Sequence, residues 1–241
     1  MPGHTHFDES TEEYLEAVYR LEREGPGVST SGLASELGVA PASVSGMLKK
    51  LTSDGYLDHR ARGEAKLTPK GLAVAVRVIR RHRLAERLLT DVLGMKWDEV
   101  HAEACRLEHA ISDNVEAHLV KLLGDPAVCP HGHPIPPADG SDPVYFGMPL
   151  AQVEAGVPFQ IHGVTDEISE ILRYLSEIGL VPGREVVVVE RAPLGGPVTV
   201  ETEGRRHAIS LELARMVLVV SGEASKVRTN VAPLARTAAA S

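Results

Sequence analysis

Apolar residues recur at helical spacing over the first part of the chain. Tyr14, Leu15, Val18, Tyr19 and Leu21 mark one face of a helix over residues 9–24, with Ser10 and Glu13 in capping-box spacing and Gly25-Pro26-Gly27 ending it. A short helix over 31–37, the turn Gly38-Val39-Ala40 and a helix over 42–54 follow, with Gly55 as the stop. Tyr56-Leu57-Asp58-His59 and Ala65-Lys66-Leu67-Thr68 then flank the polar run Arg60-Ala61-Arg62-Gly63-Glu64, which predicts a hairpin with a basic tip. Helix, short helix, glycine turn, helix, hairpin is the layout of a winged helix-turn-helix over residues 1–68. Leu33, Ala34, Leu37, Val39, Val44 and Leu48 supply its apolar contacts.

Thr68-Pro69 reads as a cap followed by proline at the first helical position. From there the pattern predicts a helix to residue 93, one over 98–111 opened by Asp98, and one to 123 opened by Ser112 or Asp113. This helical block, 69–123, is rich in apolar positions, as expected of a surface that packs against a second copy. Proline, glycine and histidine dominate 124–158, an irregular connector. Over 159–222 a helix at 164–178 is expected, then β-branched runs at 184–191, 197–202 and 217–220 with a short helical turn at 210–214, a pattern for a small SH3-like barrel. Residues 223–241 lack a periodic apolar face and read as a disordered tail. The expected fold is therefore mainly α with a small β domain.

Composition restricts what these elements do. The 241-residue chain carries a net charge of −8, so a DNA-binding face has to be a local basic patch or to rely on a cation. No 18-residue apolar run and no signal-peptide h-region stand in the sequence, and its two cysteines imply no disulfide framework. The expected compartment is the reducing cytoplasm. On the helix-turn-helix, Ser31, Ala40, Pro41, Ala42, Ser43 and Ser45 keep the second helix's N-terminus small enough to approach phosphates, with Lys49, Lys50, Arg60 and Arg62 as cations. Gly46 offers no side chain for reading bases.

The candidate chemistry lies in the helical block. On a helix, His101, Cys105, Glu108 and His109 fall at i, i+4, i+7 and i+8 and share one face, where apolar residues normally stand. Imidazole, thiol and carboxylate are metal-ligand types, and His82 and Glu86 repeat the idea one turn apart upstream. Two such faces can enclose one or two divalent ions. Cys129, His131 and His133 also carry ligand groups, but the prolines around them and the absence of a second Cys/His pair at finger spacing argue against a zinc site. A metalloenzyme is the rival reading. The chain lacks HExxH, the paired Glu-x-x-His helices of di-iron bundles and any nucleotide-binding glycine loop. A DNA-binding regulator with a structural ion that senses another signal is the other.

Thr11-Glu12-Glu13-Tyr14-Leu15, the run from Arg81 through Leu89, the run from Val100 through His109, and His133-Pro134-Ile135-Pro136 together resemble the diphtheria-toxin-repressor family of metal-dependent transcriptional regulators. The likeness extends to about residue 222. It implies a homodimer that binds a palindromic operator when loaded with Mn²⁺ or Fe²⁺ at two sites per subunit, with Zn²⁺, Co²⁺ or Ni²⁺ accepted in vitro, and that represses metal-uptake genes. The implied primary ligands are Glu13, Cys105, Glu108 and His109, with Glu16 nearby; the implied ancillary ligands are His82, Glu86 and His101. The family's Glu and Gln ligands from the C-terminal domain have no clean match, and Asp166 and Glu167 stand close to their place. The iron-responsive branch has Met where Glu13 stands and Gln where Gly46 stands. A carboxylate in place of a thioether shifts the site toward the harder Mn²⁺, while Cys105 pulls back toward Fe²⁺.

Overall fold

A computed structural model describes residues 8–25, 27–59 and 64–221. Arg60, Arg62 and the 223–241 tail lie outside the described residues. The chain forms two compact units. Among the described residues, one holds those up to His82 with Arg106–Ile111 and Pro136–Pro143; the other holds Arg83–Cys105, Ser112–Ile135 and residues 144–221.

The first unit is built on α1 (Glu9–Glu24), α2 (Thr30–Glu36) and α3 (Pro41–Ser53). Asp8, rather than Ser10, caps α1, its carboxylate accepting from the Ser10 amide at 3.3 Å. The Ser/Glu spacing suggested a cap two residues late because Asp8 offers the same oxygen one step outside the helix. Ser29 caps α2 through the Gly32 amide at 3.0 Å. No side chain caps α3, which starts at Pro41. The hairpin β1 (Leu57–His59) and β2 (Ala65–Leu67) pairs Leu57 with Leu67, and the Glu22 carboxylate takes the Leu67 amide at 3.0 Å. Thr68 is the expected cap of α4 (Pro69–Arg87): its hydroxyl accepts from Gly71 N at 3.1 Å and donates to Gly55 O at 2.8 Å. Leu15, Val18, Leu33, Val44, Leu48 and Leu51 are fully buried in one core. Leu48→Ala is expected to cost roughly 2–5 kcal/mol in urea unfolding, because the helices around the void cannot fully close on it.

The connector returns to this unit. Arg80 Nη1 donates to Pro136 O at 2.5 Å. Asp142 accepts from the Tyr19 hydroxyl at 2.8 Å and from Arg23 at 2.5 Å, while the Arg23 guanidinium lies 3.6 Å over the Tyr19 ring.

In the second unit the end of α4 runs into a π-helical turn, Leu88–Val92. Then come α5 (Val100–Leu107) and α6 (Asp113–Leu123), the latter capped by Ser112 and stopped by Gly124 in the left-handed region. The helix carrying the candidate ligands is shorter than expected, since Glu108–Ala110 is a 3-10 turn. Strands β3 (Met148–Pro149), β4 (Pro158–Val164), β5 (Glu185–Arg191), β6 (Val198–Thr202), β7 (Arg205–Ile209) and β8 (Val217–Ser221) form one antiparallel sheet in the order β3-β8-β4-β5-β6-β7. With α7 (Ser169–Glu177) and α8 (Leu211–Met216) it makes the SH3-like domain. Its core holds Leu150, Ile161, Leu172, Val186, Val198 and Val217.

Two readings change here. The helix expected over 164–178 begins only at Ser169, and Val164 ends a strand instead. A bulge between Ile161 and Gly163 breaks the strict alternation that would have marked β4. β7 went unseen because Arg205, Arg206 and His207 are polar and only Ile209 is buried; the ladder to β6 makes it a strand. No described helix is long and apolar enough to cross a membrane.

Candidate metal centres

Each unit gathers its own donors. In the first, α1 presents Glu12, Glu13 and Glu16, α4 brings His82, and the 3-10 turn brings Glu108 and His109. His82 Nδ1 lies 2.5 Å from Glu108 Oε2, and donor atoms of Glu16, His82 and Glu108 lie within 4.8 Å of one another, all three residues being buried. Glu9, Glu13 and His109 form a second, more exposed set at the same spacing. His109 bridges them: Nε2 is 3.2 Å from Glu108 Oε1 and Nδ1 is 2.8 Å from Glu12 Oε2. The hydrogen bond that His109 Nδ1 donates to Glu12 is the main reason the His109 pKa is raised, burial working the other way. Burial pushes the Glu16 carboxyl up, yet Arg20 at 2.7 Å and His82 outweigh it and hold it below its ordinary value.

Ending α5 at Leu107 changes the face read from the sequence. Glu108 and His109 sit in a tighter turn, which drives Glu108 into the interior at 3% exposure. A turn that ends an α-helix in this way redirects its side chains without adding a residue.

In the second unit Glu86, Cys129, His131 and Glu167 bring donor atoms within 4.8 Å of one another. His131 Nδ1 lies 3.1 Å from Glu86 Oε1 and 3.5 Å from Glu167 Oε1. His133 Nε2 is 3.2 Å from Glu167, and His101 pairs with Glu167 and lies 3.8 Å from Glu86. Cys105 Sγ is 3.7 Å from His101 Nε2. His131 Nε2 donates to the Trp97 carbonyl at 2.7 Å, leaving Nδ1 turned toward the carboxylates. Burial alone would lower the His131 and His101 pKa values. Cys129, Glu86 and Glu167 around His131, and Cys105, Glu167 and Glu86 around His101, push both up to about 11. Burial, then Glu86, pushes the Cys129 thiol up to about 11.

Glu86, His101 and Glu167 thus come together, whereas Asp166 joins none of the donor groups among the described residues. Glu12, Cys129, His131 and His133 were missed as participants. The Cys-x-His-x-His spacing was the signal, discounted for lack of a second pair that the fold supplies as Glu86 and Glu167. On the winged helix, Ser31, Ala40, Pro41, Ala42, Ser43, Ser45, Lys49 and Lys50 are all exposed, with Lys50 3.5 Å from Asp8.

Family models describe the same three parts. That of the iron-dependent repressor N-terminal DNA-binding domain matches residues 6–65, and that of the iron-dependent repressor metal-binding and dimerisation domain matches 68–137. The FeoA domain model matches 148–221. The iron-dependent repressor IdeR of Mycobacterium tuberculosis is 37% identical over 225 residues, covering 88% of this chain and 96% of the relative. The chain belongs to the diphtheria-toxin-repressor family. The diphtheria toxin repressor of Corynebacterium diphtheriae is 32% identical over the same shares of the two chains. Among solved structures, a manganese-dependent transcriptional repressor in complex with manganese superposes with a TM-score of 0.81 at 34% identity, covering 88% of this chain and 99% of that one. Membership of this repressor family removes the metalloenzyme alternative.

Proposed function

We propose that this chain is a cytoplasmic, homodimeric repressor that binds a palindromic operator when Mn²⁺ or Fe²⁺ fills its donor groups, and that it silences metal-uptake genes. The observation that carries the metal reading is the buried trio Glu16, His82 and Glu108, drawn from α1, α4 and the 3-10 turn. Two carboxylates and an imidazole held this close fit a divalent cation of intermediate hardness. Glu9, Glu13 and His109 offer the same donor types nearer the surface, with Glu12 setting the ring of His109. Glu86, His131 and Glu167 with the Cys129 thiol and neighbouring His101 and His133 make the second group, whose sulfur also accepts Zn²⁺, Co²⁺ or Ni²⁺. Cys105 Sγ, 3.7 Å from His101 Nε2, adds a second sulfur donor beside this group, while Asp166 enters only through its place in the sequence next to Glu167.

A bound cation supplies positive charge between carboxylates that otherwise repel. The residues do the rest. Glu16 and Glu13 lie on α1, the helix against which α2 and α3 bury their core. Holding these carboxylates beside Glu108 and His109 fixes α1, and with it the pose of the helix that faces DNA. Less negative charge near the winged helix also favours a polyanion on this acidic chain. For the dimer, α6 exposes Val115 and Leu122, and Asn114, Val115, His118, Leu119 and Leu122 line a shallow apolar groove of about 440 Å³, suited to a second copy of the same helix.

Operator affinity measured by fluorescence anisotropy, anaerobically, is expected to rise at least tenfold when chelator is replaced by excess Mn²⁺ or Fe²⁺. Equal affinity in all three conditions would overturn the reading and leave a regulator whose ion is structural.

A further inference from the structure

The loop that carries Cys129, His131 and His133 lies flat on β4, and two glycines meet at the crossing. A Cβ on Gly132 would come within 2.5 Å of the Gly163 Cα and closer still to the His162 carbonyl oxygen. A Cβ on Gly163 would lie 2.8 Å from the Gly132 Cα and closer still to the His131 carbonyl oxygen. Those obstacles are backbone, so no rotamer change relieves them. Gly132 also adopts φ +89°, whereas Gly163 does not lie in the left-handed region, so at Gly163 space alone is at stake. The contact is closed by the Val164 amide, which donates to His131 O at 3.0 Å, directly after the bulge in β4.

We propose that Gly132 and Gly163 are positioning residues of the second donor group, their missing side chains letting the bulge of β4 seat the 129–133 loop so that His131 meets Glu167. Two chain segments depend on this crossing. The loop delivers His131, and the residues just beyond Val164 deliver Glu167, three positions further on. Lifting the loop by the width of a methyl group separates His131 Nδ1 from both of its carboxylates, now at 3.1 and 3.5 Å. The inference rests on reading this group as a metal site, and the chain contains its own reporter for both. Trp97 is the only tryptophan, and its ring stacks on His131 at 5.7 Å. A paramagnetic or open-shell ion on His131 therefore quenches Trp97 emission.

The test titrates full-length, metal-free protein with Co²⁺ and with Mn²⁺ while following Trp97 emission, for the wild type, Glu167→Gln and Gly163→Ala. The wild type is expected to quench. Glu167→Gln should weaken the response, and Gly163→Ala should move its midpoint at least about tenfold higher, the usual scale for a lost orienting contact. The circular dichroism of metal-free Gly163→Ala should match the wild type, since the barrel core is untouched. A wild type that does not quench, or Glu167→Gln with an unchanged response, removes the metal reading of this group. Quenching lost in Glu167→Gln but kept at the wild-type midpoint in Gly163→Ala overturns the positioning role alone. If Gly163→Ala does not fold, Gly132→Ala presses on the same crossing from a loop outside the sheet, and an unshifted midpoint there overturns the role as well.

Discussion

His109→Ala is expected to give a folded repressor whose operator affinity no longer responds to Mn²⁺ or Fe²⁺. His109 lies within 4.8 Å of the exposed donors Glu9 and Glu13 and contacts the buried Glu108 and Glu12 on α1. Truncation removes a ligand and cuts the imidazole link from Glu12 on α1 to Glu108 in the 3-10 turn, so metal affinity in the first unit should fall on the order of 100-fold. The fold should survive, because the core of Leu15, Val44 and Leu48 lies elsewhere in the unit. Calorimetric metal titration and operator anisotropy on the same sample check this. A variant that still gains operator affinity with metal would take His109 out of the switch.

The second large effect is a pH dependence. In the metal-free protein His131 and Cys129 both hold their protons up to about pH 11. A cation that binds His131 Nδ1 and Cys129 Sγ has to displace both. Below those pKa values each displaced proton makes apparent affinity rise tenfold per pH unit, so binding through the pair should strengthen by about 100-fold per pH unit between pH 6 and 8. Acidification works in the opposite sense, returning the protons and expelling the ion. Trp97 quenching by Co²⁺, followed across this range, measures the slope. A slope near zero would mean that neither protonated group is a ligand.

Much of the first unit was legible because its signals are local. Periodicity, Thr68-Pro69 and the hairpin's flanking residues each act within a few positions: α1, α2, α3 and the hairpin strands form within a residue or two of their expected bounds, and α4 starts at the expected proline, though it gives way to a π-helical turn after Arg87. The donor set was legible only as an inventory. A helical wheel places Glu108 and His109 on one face with His101, yet α5 stops at Leu107, and no residue in the run from Val100 to His109 announces the tighter turn. The second group was harder still. Cys129 and His131 look unsupported in sequence, since their partners Glu86 and Glu167 stand some 40 residues away on either side. What joins them is a bulged strand and two glycines, and neither carries a ligand-like side chain.

Asp142 gives the first helix a fixed end. It grips Tyr19 and Arg23 in the third and fourth turns of α1, while Glu12 meets His109 in the first. The rise from Glu12 to Arg23 is about 16 Å of helix. A rod pinned at one end cannot slide when the other is pulled; it pivots. A 1 Å pull at Glu12 therefore becomes a tilt of about 4° about the Asp142 anchor. On the proposed metal reading the connector, chosen by no ligand chemistry at all, would make α1 a lever arm, and an ion's small pull on Glu12 would reach α2 and α3 as an angle.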